Sequence, residues 1–261
     1  MTLGSLQFLN YTSPAHLIYS LESLPDSPLK KNHKILPKKS MAKGNDDEPP
    51  KAPASILRHM IYLDTTLSQS IHALFHPLIP RASLKLLEIT GDGRLWFPIS
   101  LSLLLSPLSL HSSTLYSFSL SLLLGLLSDI IFIGLLKHLI RRRRPHYNPL
   151  MGATLPVDHW SFPSGHASRV FFIASIFSLS TSAVAQGIDQ LRFRDREIVD
   201  RWIGGRDSGQ VVVVMLILVW VWSVLTSISR VLLGRHFVLD VAAGALVGIF
   251  NGAFVHRYLH F

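Results

Sequence analysis

The chain has 261 residues, of which 48% are apolar and 16% are charged, and its mean hydropathy is +0.35. This balance favours a membrane protein over a soluble one. The sequence contains no cysteine, which excludes disulfide bonds and thiolate metal sites. The net charge of +9 lies largely beside apolar segments, where it fits anionic lipid headgroups or topology signals better than nucleic acid.

Two regions precede the apolar segments. Residues 1–55 become rich in Pro, Ser, Lys and Asp after a mixed start, which predicts a disordered N-terminal tail. Residues 56–92 place apolar side chains at helical spacing and interrupt them with histidines and basic residues. This pattern is typical of an amphipathic helix that lies on the membrane or packs on a helix bundle.

Five apolar segments follow, each of roughly the length that crosses the hydrocarbon layer of a bilayer. They cover about residues 95–110, 115–137, 166–185, 210–228 and 237–256. The fifth contains Gly244, Gly248 and Gly252 at intervals of four, which lets another helix approach closely. We therefore expect an all-α integral membrane bundle with about five transmembrane helices, formed by residues 93–257, plus the N-terminal amphipathic helix.

The link between the third and fourth segments, residues 186–209, is polar and carries charges of both signs. This composition indicates a solvated helix or hairpin, not a phosphate site.

Three polar clusters lie at the ends of the apolar segments. The first runs from Lys137 to Arg144 at the end of the second segment, and the second, Ser164-Gly165-His166, opens the third. The third cluster, Ser229 to Asp240, joins the fourth and fifth segments. Because segments three and four make a round trip through the bilayer, all three clusters fall on the same face of the membrane.

The third cluster contains a pattern with chemical meaning. His236 and Asp240 are four residues apart, so on a helix they share a face. A carboxylate at that spacing can orient an imidazole and fix its tautomer, and the imidazole could act as a nucleophile. Arg230 offers a planar fork of donors that suits phosphate oxygens. A helix end with charges at the membrane interface would show the same residues, so the run by itself leaves both interpretations open.

The other two clusters add cations and anion donors. Ser164 is a good N-cap, and a helix N-terminus that begins with Gly165 can bind an anion. By themselves, Arg141 to Arg144 are typical of a positive-inside signal, and Ser164 to His166 of a helix cap. Taken together, the clusters supply three cations, two anion donors, two histidines and a carboxylate, which suits a phosphoryl group in a charged transition state.

These residues resemble the three-part motif of the type 2 phosphatidic acid phosphatase (PAP2) superfamily, which includes lipid phosphate phosphatases, bacterial acid phosphatases and vanadium haloperoxidases. The resemblance covers about residues 90–256. The matching positions are Lys137 with Arg144-Pro145, then Pro163 to His166, then Ser229-Arg230 with His236 and Asp240. The run Lys-His-Leu-Ile-Arg-Arg-Arg-Arg-Pro is most similar to polyisoprenoid diphosphate/phosphate phosphohydrolases, and plant lipid phosphate phosphatase beta proteins are also similar.

The resemblance implies a role for each matching residue. His236 would attack phosphorus and form a phosphohistidine, Asp240 would orient it, and His166 would protonate the leaving oxygen and then activate water. The phosphoryl oxygens would be held by Lys137, Arg144, Ser164, Gly165 and Arg230. No metal or other cofactor is expected, so the activity would be independent of Mg²⁺.

The function that the resemblance implies is hydrolysis of the phosphomonoester or diphosphate groups of lipids, such as isoprenoid diphosphates or phosphatidic acid. The alternatives are a non-catalytic membrane protein that binds lipid phosphates and a vanadate-dependent peroxidase. The expected partners are the lipid phosphate substrate and membrane lipids but no nucleic acid, and a homo-oligomer is compatible with the sequence. Family likeness favours the endoplasmic reticulum membrane, and the basic residues on the catalytic side favour a cytosol-facing site.

Overall fold

The computed structural model of the chain describes residues 52–147 and 160–259. Their regular structure is helical, apart from an isolated antiparallel bridge between Arg143 and Trp160. The helices are α1 (Ala52–Phe75), α2 (Arg81–Thr90), α3 (Gly93–Leu104), α4 (Pro107–Leu110), α5 (Ser113–Ile140), α6 (Gly165–Leu179), α7 (Thr181–Arg194), α8 (Arg196–Ile203), α9 (Ser208–Leu232) and α10 (Val238–Tyr258). The predicted all-α fold is confirmed. The predicted disordered tail covers residues 1–55, and residues 1–51 of it lie outside the described part of the chain.

Three of these helices are long and apolar enough to cross a membrane, namely α5, α9 and α10. A fourth crossing exists if α6 and α7, which meet at an angle of 77°, form one bent span. The first predicted segment instead forms α3 and α4. Helix α3 has 12 residues and rises only about 18 Å, short of the hydrocarbon layer of about 30 Å. Three or four crossings are therefore supported, and the fifth is not confirmed.

The glycines of α10 bring it against α6, as predicted from their spacing. A Cβ atom added at Gly248 would overlap the carbonyl oxygen of Ser168 and lie 2.8 Å from the amide nitrogen of Phe172. One added at Gly244 would overlap the carbonyl oxygen of Ser164, next to the start of α6. The backbones of the two helices are thus in direct contact, and this contact sets the position of the N-terminus of α6 relative to α10.

Helix α1 packs on the bundle through a polar face, contrary to what an amphipathic pattern suggests. Asp64 and Ser68, one turn apart, are buried, whereas large apolar side chains such as Leu57, Tyr62 and Leu67 are exposed. The region predicted to lie on the membrane or pack on the bundle forms α1 and α2. The side of α1 that faces the protein carries these polar residues and also Ile71, which packs against the buried cluster of Leu84, Leu232 and Leu233.

The polar link between the third and fourth segments forms the end of α7 and the whole of α8. Ion pairs join Arg192 to Asp200 at 2.9 Å and Arg201 to Glu197 at 3.1 Å. The predicted solvated helix is therefore present, and its charged side chains form ion pairs with one another within the link.

Candidate active site

The structure brings the eight predicted site residues to one end of the bundle. Lys137 lies in the last turn of α5 and Arg230 in the last turn of α9, while Asp240 lies in the first turn of α10. His236 lies in the short link between α9 and α10. The remaining residues flank these helix ends: Arg144 follows α5, Ser164 caps α6, and Gly165 and His166 begin it. The amide of Ser164 donates to the carbonyl oxygen of Asp240 at 2.9 Å, which ties the second cluster to the third.

The imidazole of His236 is buried and held in one orientation. Its Nδ1 lies 2.8 Å from the carbonyl oxygen of Ser161. Because a carbonyl oxygen can only accept a hydrogen bond, Nδ1 carries the proton and Nε2 keeps its lone pair. Burial lowers the pKa of His236 to about 4, with a further contribution from Arg144 and Arg230 and against the opposing effect of Asp240. The ring is therefore neutral near pH 7, as a nucleophile must be.

The carboxylate of Asp240 organises the surroundings of His236 and is not its closest acceptor. Its Oδ2 lies 3.8 Å from Nδ1 of His236, beyond the length of a hydrogen bond. The same oxygen accepts hydrogen bonds from the hydroxyl of Ser161 and from the amide of Phe237, the latter at 2.9 Å. Asp240 thus fixes Ser161, whose carbonyl oxygen in turn holds the ring. The expected direct contact between Asp240 and His236 is replaced by this indirect one.

The three expected phosphate-binding cations are buried near the two histidines. Lys137, Arg144 and Arg230 each expose less than a tenth of their surface, at 8%, 8% and 2%. Arg144 and Arg230 lie close enough to His236 to interact with its charge, and Arg230 and Lys137 do the same with His166. The site therefore concentrates fixed positive charge around two imidazoles, an arrangement that can stabilise a phosphoryl group.

A carboxylate that the sequence did not single out pairs with one of these cations. Oε1 of Glu88, in α2, lies 2.8 Å from the guanidinium of Arg230 and 3.9 Å from that of Arg235. Burial raises the pKa of Glu88, but Arg230 and Arg235 together outweigh burial and leave the pKa below its ordinary value. The carboxylate is therefore ionised, and it holds the guanidinium of Arg230 in a defined position.

The start of α6 has the features of an anion-binding N-terminus. The hydroxyl oxygen of Ser164 accepts from the amide of Ala167 at 3.4 Å and caps the helix. Among the described residues, a Cβ added at Gly165 would meet the side chain of Ile133 alone, at 3.5 Å. Packing within this part of the chain thus does not require glycine here, and its absent side chain leaves the backbone open to an anion. Nε2 of His166 is buried and makes no hydrogen bond within the described residues.

Helix α1 contributes a polar stripe that sequence analysis missed as part of the site. The stripe consists of Asp64, Ser68 and His72, at intervals of one turn. The carboxylate of Asp64 accepts from the amide of Leu239 at 3.0 Å, and the hydroxyl of Ser68 accepts from the amide of Val238 at 2.9 Å. Nδ1 of His72 lies 2.7 Å from the carbonyl oxygen of Leu232. The stripe therefore pairs the free backbone groups at the end of α9 and the start of α10, which flank His236.

Arg142 links this stripe to Asp240. Its guanidinium donates to Asp64 at 2.6 Å and to Asp240 at 2.7 Å, and it stacks on the ring of Phe237 with 4.0 Å to the centroid. In the sequence, Arg142 is one of four adjacent arginines and gives no sign of this role. The one available signal was the four-residue spacing of the polar residues in α1, which marks a single face of a helix.

Comparison with known proteins gave matches over most of the chain. Residues 118–261 match the PAP2 superfamily. The chain is 44% identical to the probable lipid phosphate phosphatase beta of Arabidopsis thaliana over 203 residues, which cover 77% of this chain and 91% of that protein. It is 33% identical to lipid phosphate phosphatase gamma of the same plant over 118 residues, 45% of this chain and 43% of that protein.

A solved structure supports the fold. The crystal structure of a transmembrane PAP2-type phosphatidylglycerolphosphate phosphatase from Bacillus subtilis superposes with a TM-score of 0.55 at 23% sequence identity. The match covers 78% of this chain and 89% of that chain. The helix arrangement is therefore shared, and at this identity the likeness concerns the fold alone.

Proposed function

The chain belongs to the PAP2 superfamily and is a membrane phosphatase, and on that premise we propose that it hydrolyses lipid phosphates through a phosphohistidine intermediate. The substrates are phosphatidic acid or isoprenoid mono- and diphosphates. The observation that carries the proposal is the neutral, buried His236, whose Nδ1 is held by Ser161 at 2.8 Å. Its Nε2 is thereby left with a lone pair, among buried cations that suit a phosphate.

In the first step, Nε2 of His236 attacks the phosphorus of the lipid phosphate. A bond forms between this nitrogen and phosphorus, and the bond between phosphorus and the lipid oxygen breaks. His166, in its protonated form, gives its proton to the departing oxygen, so the lipid leaves as an alcohol or, from a diphosphate, as a monophosphate. Lys137, Arg144 and Arg230 stabilise the charge on the phosphoryl oxygens, together with the amides at the start of α6.

In the second step, His166 acts as a base. It takes a proton from a water molecule, whose oxygen attacks the phosphorus of the phosphohistidine. The bond between phosphorus and Nε2 breaks, inorganic phosphate forms, and His236 returns to its neutral state with His166 protonated again. The positive charge of an imidazole bonded to phosphorus develops near the anionic Asp240, which stabilises it.

The proposal includes catalysis without a divalent metal ion. Three buried cations, Lys137, Arg144 and Arg230, supply the positive charge that Mg²⁺ supplies in many other phosphoryl-transfer enzymes. The expected result is that hydrolysis by the purified protein is unchanged when EDTA is added. A loss of activity that Mg²⁺ restores would contradict this part of the proposal.

The central experiment compares the purified wild-type protein with His236→Ala and His138→Ala. His138 is an exposed histidine in the last turn of α5 and serves as the matched control. Phosphate release is measured from phosphatidic acid, an isoprenoid monophosphate and an isoprenoid diphosphate. We expect His236→Ala to abolish release from every substrate that the wild type uses, and His138→Ala to leave it unchanged. Full activity of a folded His236→Ala protein would overturn the nucleophile, and binding without turnover by the wild type would overturn the catalytic function.

The cellular location is a further part of the proposal, supported by family likeness. We expect the protein in the endoplasmic reticulum membrane with its catalytic end toward the cytosol. A fluorescent fusion would test the location. Protease protection of the polar link at residues 186–209, which joins the ends of α7 and α9 away from the catalytic end, would test the orientation.

A further inference from the structure

Helix α8, Arg196–Ile203, has one apolar and one charged side. None of its eight residues is buried by the described part of the chain. Val199 and Ile203 are half-buried and form the inner part of the apolar side. Ile198 and Trp202, one turn apart on its outer part, are 54% and 84% exposed. A contiguous exposed apolar face on an otherwise polar link marks an interaction surface.

The charged side of α8 is satisfied by its own contacts. Arg196 pairs with Asp200 at 3.2 Å and Arg201 with Glu197 at 3.1 Å, each at the four-residue spacing that joins neighbours on a helix. The carboxylate of Asp195 caps the helix by accepting from an amide of its first turn at 3.1 Å. The charged side can therefore stay in water while the apolar side faces another medium.

The chain connectivity places α8 at the membrane surface opposite the catalytic end. Helix α9 begins at Ser208, five residues after α8 ends, and is long and apolar enough to span a membrane. It has 25 residues and rises about 38 Å, more than the hydrocarbon layer of about 30 Å. Because Arg230 lies in the last turn of α9, the first turn emerges at the other face of the membrane. The apolar side of α8 is thus within reach of the lipid that surrounds the start of α9.

The charge of the link indicates which property of the membrane α8 would use. Residues 186–209 contain five arginines, four aspartates and one glutamate, so their formal net charge is zero. Segments that are held by anionic headgroups carry an excess of Lys and Arg, which this link lacks. The apolar side is therefore the part that can make the contact, and a tryptophan such as Trp202 is typical of the membrane–water interface.

We propose that α8 is an interfacial helix that inserts Ile198 and Trp202 into the lipid leaflet opposite the catalytic end. The helix lies in the plane of the membrane, with its apolar side among the upper parts of the acyl chains and its charged side toward water. Its partner is the lipid surface itself, whatever the charge of the headgroups. The contact does not depend on catalysis.

The sequence contains no cysteine, so an introduced one can be labelled at a single position. Ile198→Cys and Glu197→Cys are labelled with a fluorophore in the full-length protein, which is then reconstituted into phosphatidylcholine vesicles. The two positions are adjacent in the chain but lie on the apolar and the charged side of α8, so the second is the matched control. We expect nitroxide lipids to quench the label at position 198 from a depth of about 5–10 Å, and aqueous iodide to quench the label at position 197.

Three outcomes of this measurement would overturn the proposal. Equal quenching of both labels by iodide would place the whole helix in water. A label at position 198 that neither quencher reaches would assign the apolar side to a protein contact, such as a second copy of the chain. A depth that increases with anionic phosphatidylglycerol and decreases with added salt would show that charge makes the contact. The proposal predicts that neither addition changes the depth, because the link has no net charge.

A second measurement uses the native side chain. Wild type and Trp202→Phe are compared in vesicles that contain brominated phosphatidylcholine, and the difference in fluorescence isolates Trp202, because the other four tryptophans are common to both proteins. We expect the brominated lipid to quench this difference signal and aqueous acrylamide to quench it little. Strong quenching by acrylamide without any effect of bromine would overturn the proposal. Neither measurement uses hydrolysis, so failure of the proposed function would leave this test intact.

Discussion

The two histidines of the site have contrasting surroundings. His236 is held by Ser161 at 2.8 Å, and its neighbours are in turn fixed by Asp240, Arg142 and the polar stripe of α1. His166 lies at the start of α6, and its Nε2 makes no hydrogen bond within the described residues although it is buried. The contrast fits the two proposed roles. A nucleophile gains from a fixed orientation in the free enzyme, whereas a group that exchanges protons with substrate and water gains from an available nitrogen.

The contrast also has a structural basis. The helix ends around His236 are anchored by a helix outside the three motifs, through Asp64 and Ser68. The start of α6 is positioned by backbone contact with α10 at Gly244 and Gly248, and by hydrogen bonds of Ser164 to Asp240 and of Ser168 to Asp129. Close backbone packing is thus a support that the acid side has in addition to its hydrogen bonds, whereas the nucleophile side depends on hydrogen bonds and charges. Mutations that remove one kind of support at a time can separate the two sides.

We expect His166→Ala to distinguish the roles of the two histidines most clearly. Turnover should fall by about a thousandfold, because proton transfer to the leaving group and from water is lost. His236 remains able to attack, however, so labelled phosphate from the substrate should accumulate on the protein in an acid-labile form. His236→Ala should lose turnover without any label. A label of equal amount in both variants would show that the two histidines do not have distinct roles.

Gly248→Ala tests the packing side. The added methyl group would overlap the backbone of α6 at Ser168 and displace the helix that carries His166. A shift of about 1 Å at a catalytic group can cost a hundredfold in rate, and overpacking costs about 1–3 kcal/mol in stability. Gly134→Ala is the matched control, because a Cβ there meets no atom of the described residues within 4 Å. Activity and the melting temperature in detergent are measured for both, and equal behaviour would argue against packing as the device that positions α6.

Arg142→Gln tests the hydrogen-bonded side. The variant leaves Asp64 and Asp240 without their shared guanidinium, so we expect a fall in kcat of about tenfold or more, as for other residues that orient a catalytic group. KM should change little, because Arg142 does not hold the phosphate. Arg143→Gln, which removes the exposed neighbour, should be close to wild type. Asp64→Asn should lower kcat by a similar factor, and the double variant should be no worse than the more severe single one.

The sequence predicted eight residues that the structure brings to one end of the bundle, because the proposed reaction sets their types and spacing. It also predicted the contact of α10 through Gly248, since only small residues let helix backbones meet. It did not predict Arg142 or Asp64 as parts of the site, because a charge among other charges carries no sign of its partner. Nor did it show that Ser161, and not Asp240, accepts from His236, because a backbone carbonyl leaves no trace in the sequence.

The number of membrane crossings was difficult to predict from the sequence for a different reason. Residues 95–110 carry no charge and are mostly apolar, and composition alone predicts a crossing. Ser106 and Pro107 divide the stretch, since the hydroxyl of Ser106 caps a new short helix and proline occupies its first turn. The same apolar composition therefore yields two short helices, a distinction made by local capping and not by hydropathy.

The smallest expected effect concerns pH and the burial of His236. Burial lowers its pKa to about 4, whereas in the unfolded chain the value is about 6.5. Between these values the unfolded chain binds a proton that the folded protein does not, so stability rises with pH in this window and is lost as the pH falls from 6.5 toward 4. At pH 5 the loss from this group amounts to about 2 kcal/mol relative to pH 7.5.

His236→Gln removes the titration while keeping a polar side chain in place. We expect the melting temperature of the wild type in detergent to fall more than that of the variant when the pH is lowered from 7.5 to 5. The difference between the two falls isolates His236, because every other titrating group is common to both proteins. If the variant loses as much as the wild type, the imidazole is not held neutral by its surroundings. The nucleophile side would then resemble the acid side more closely than their hydrogen bonds suggest.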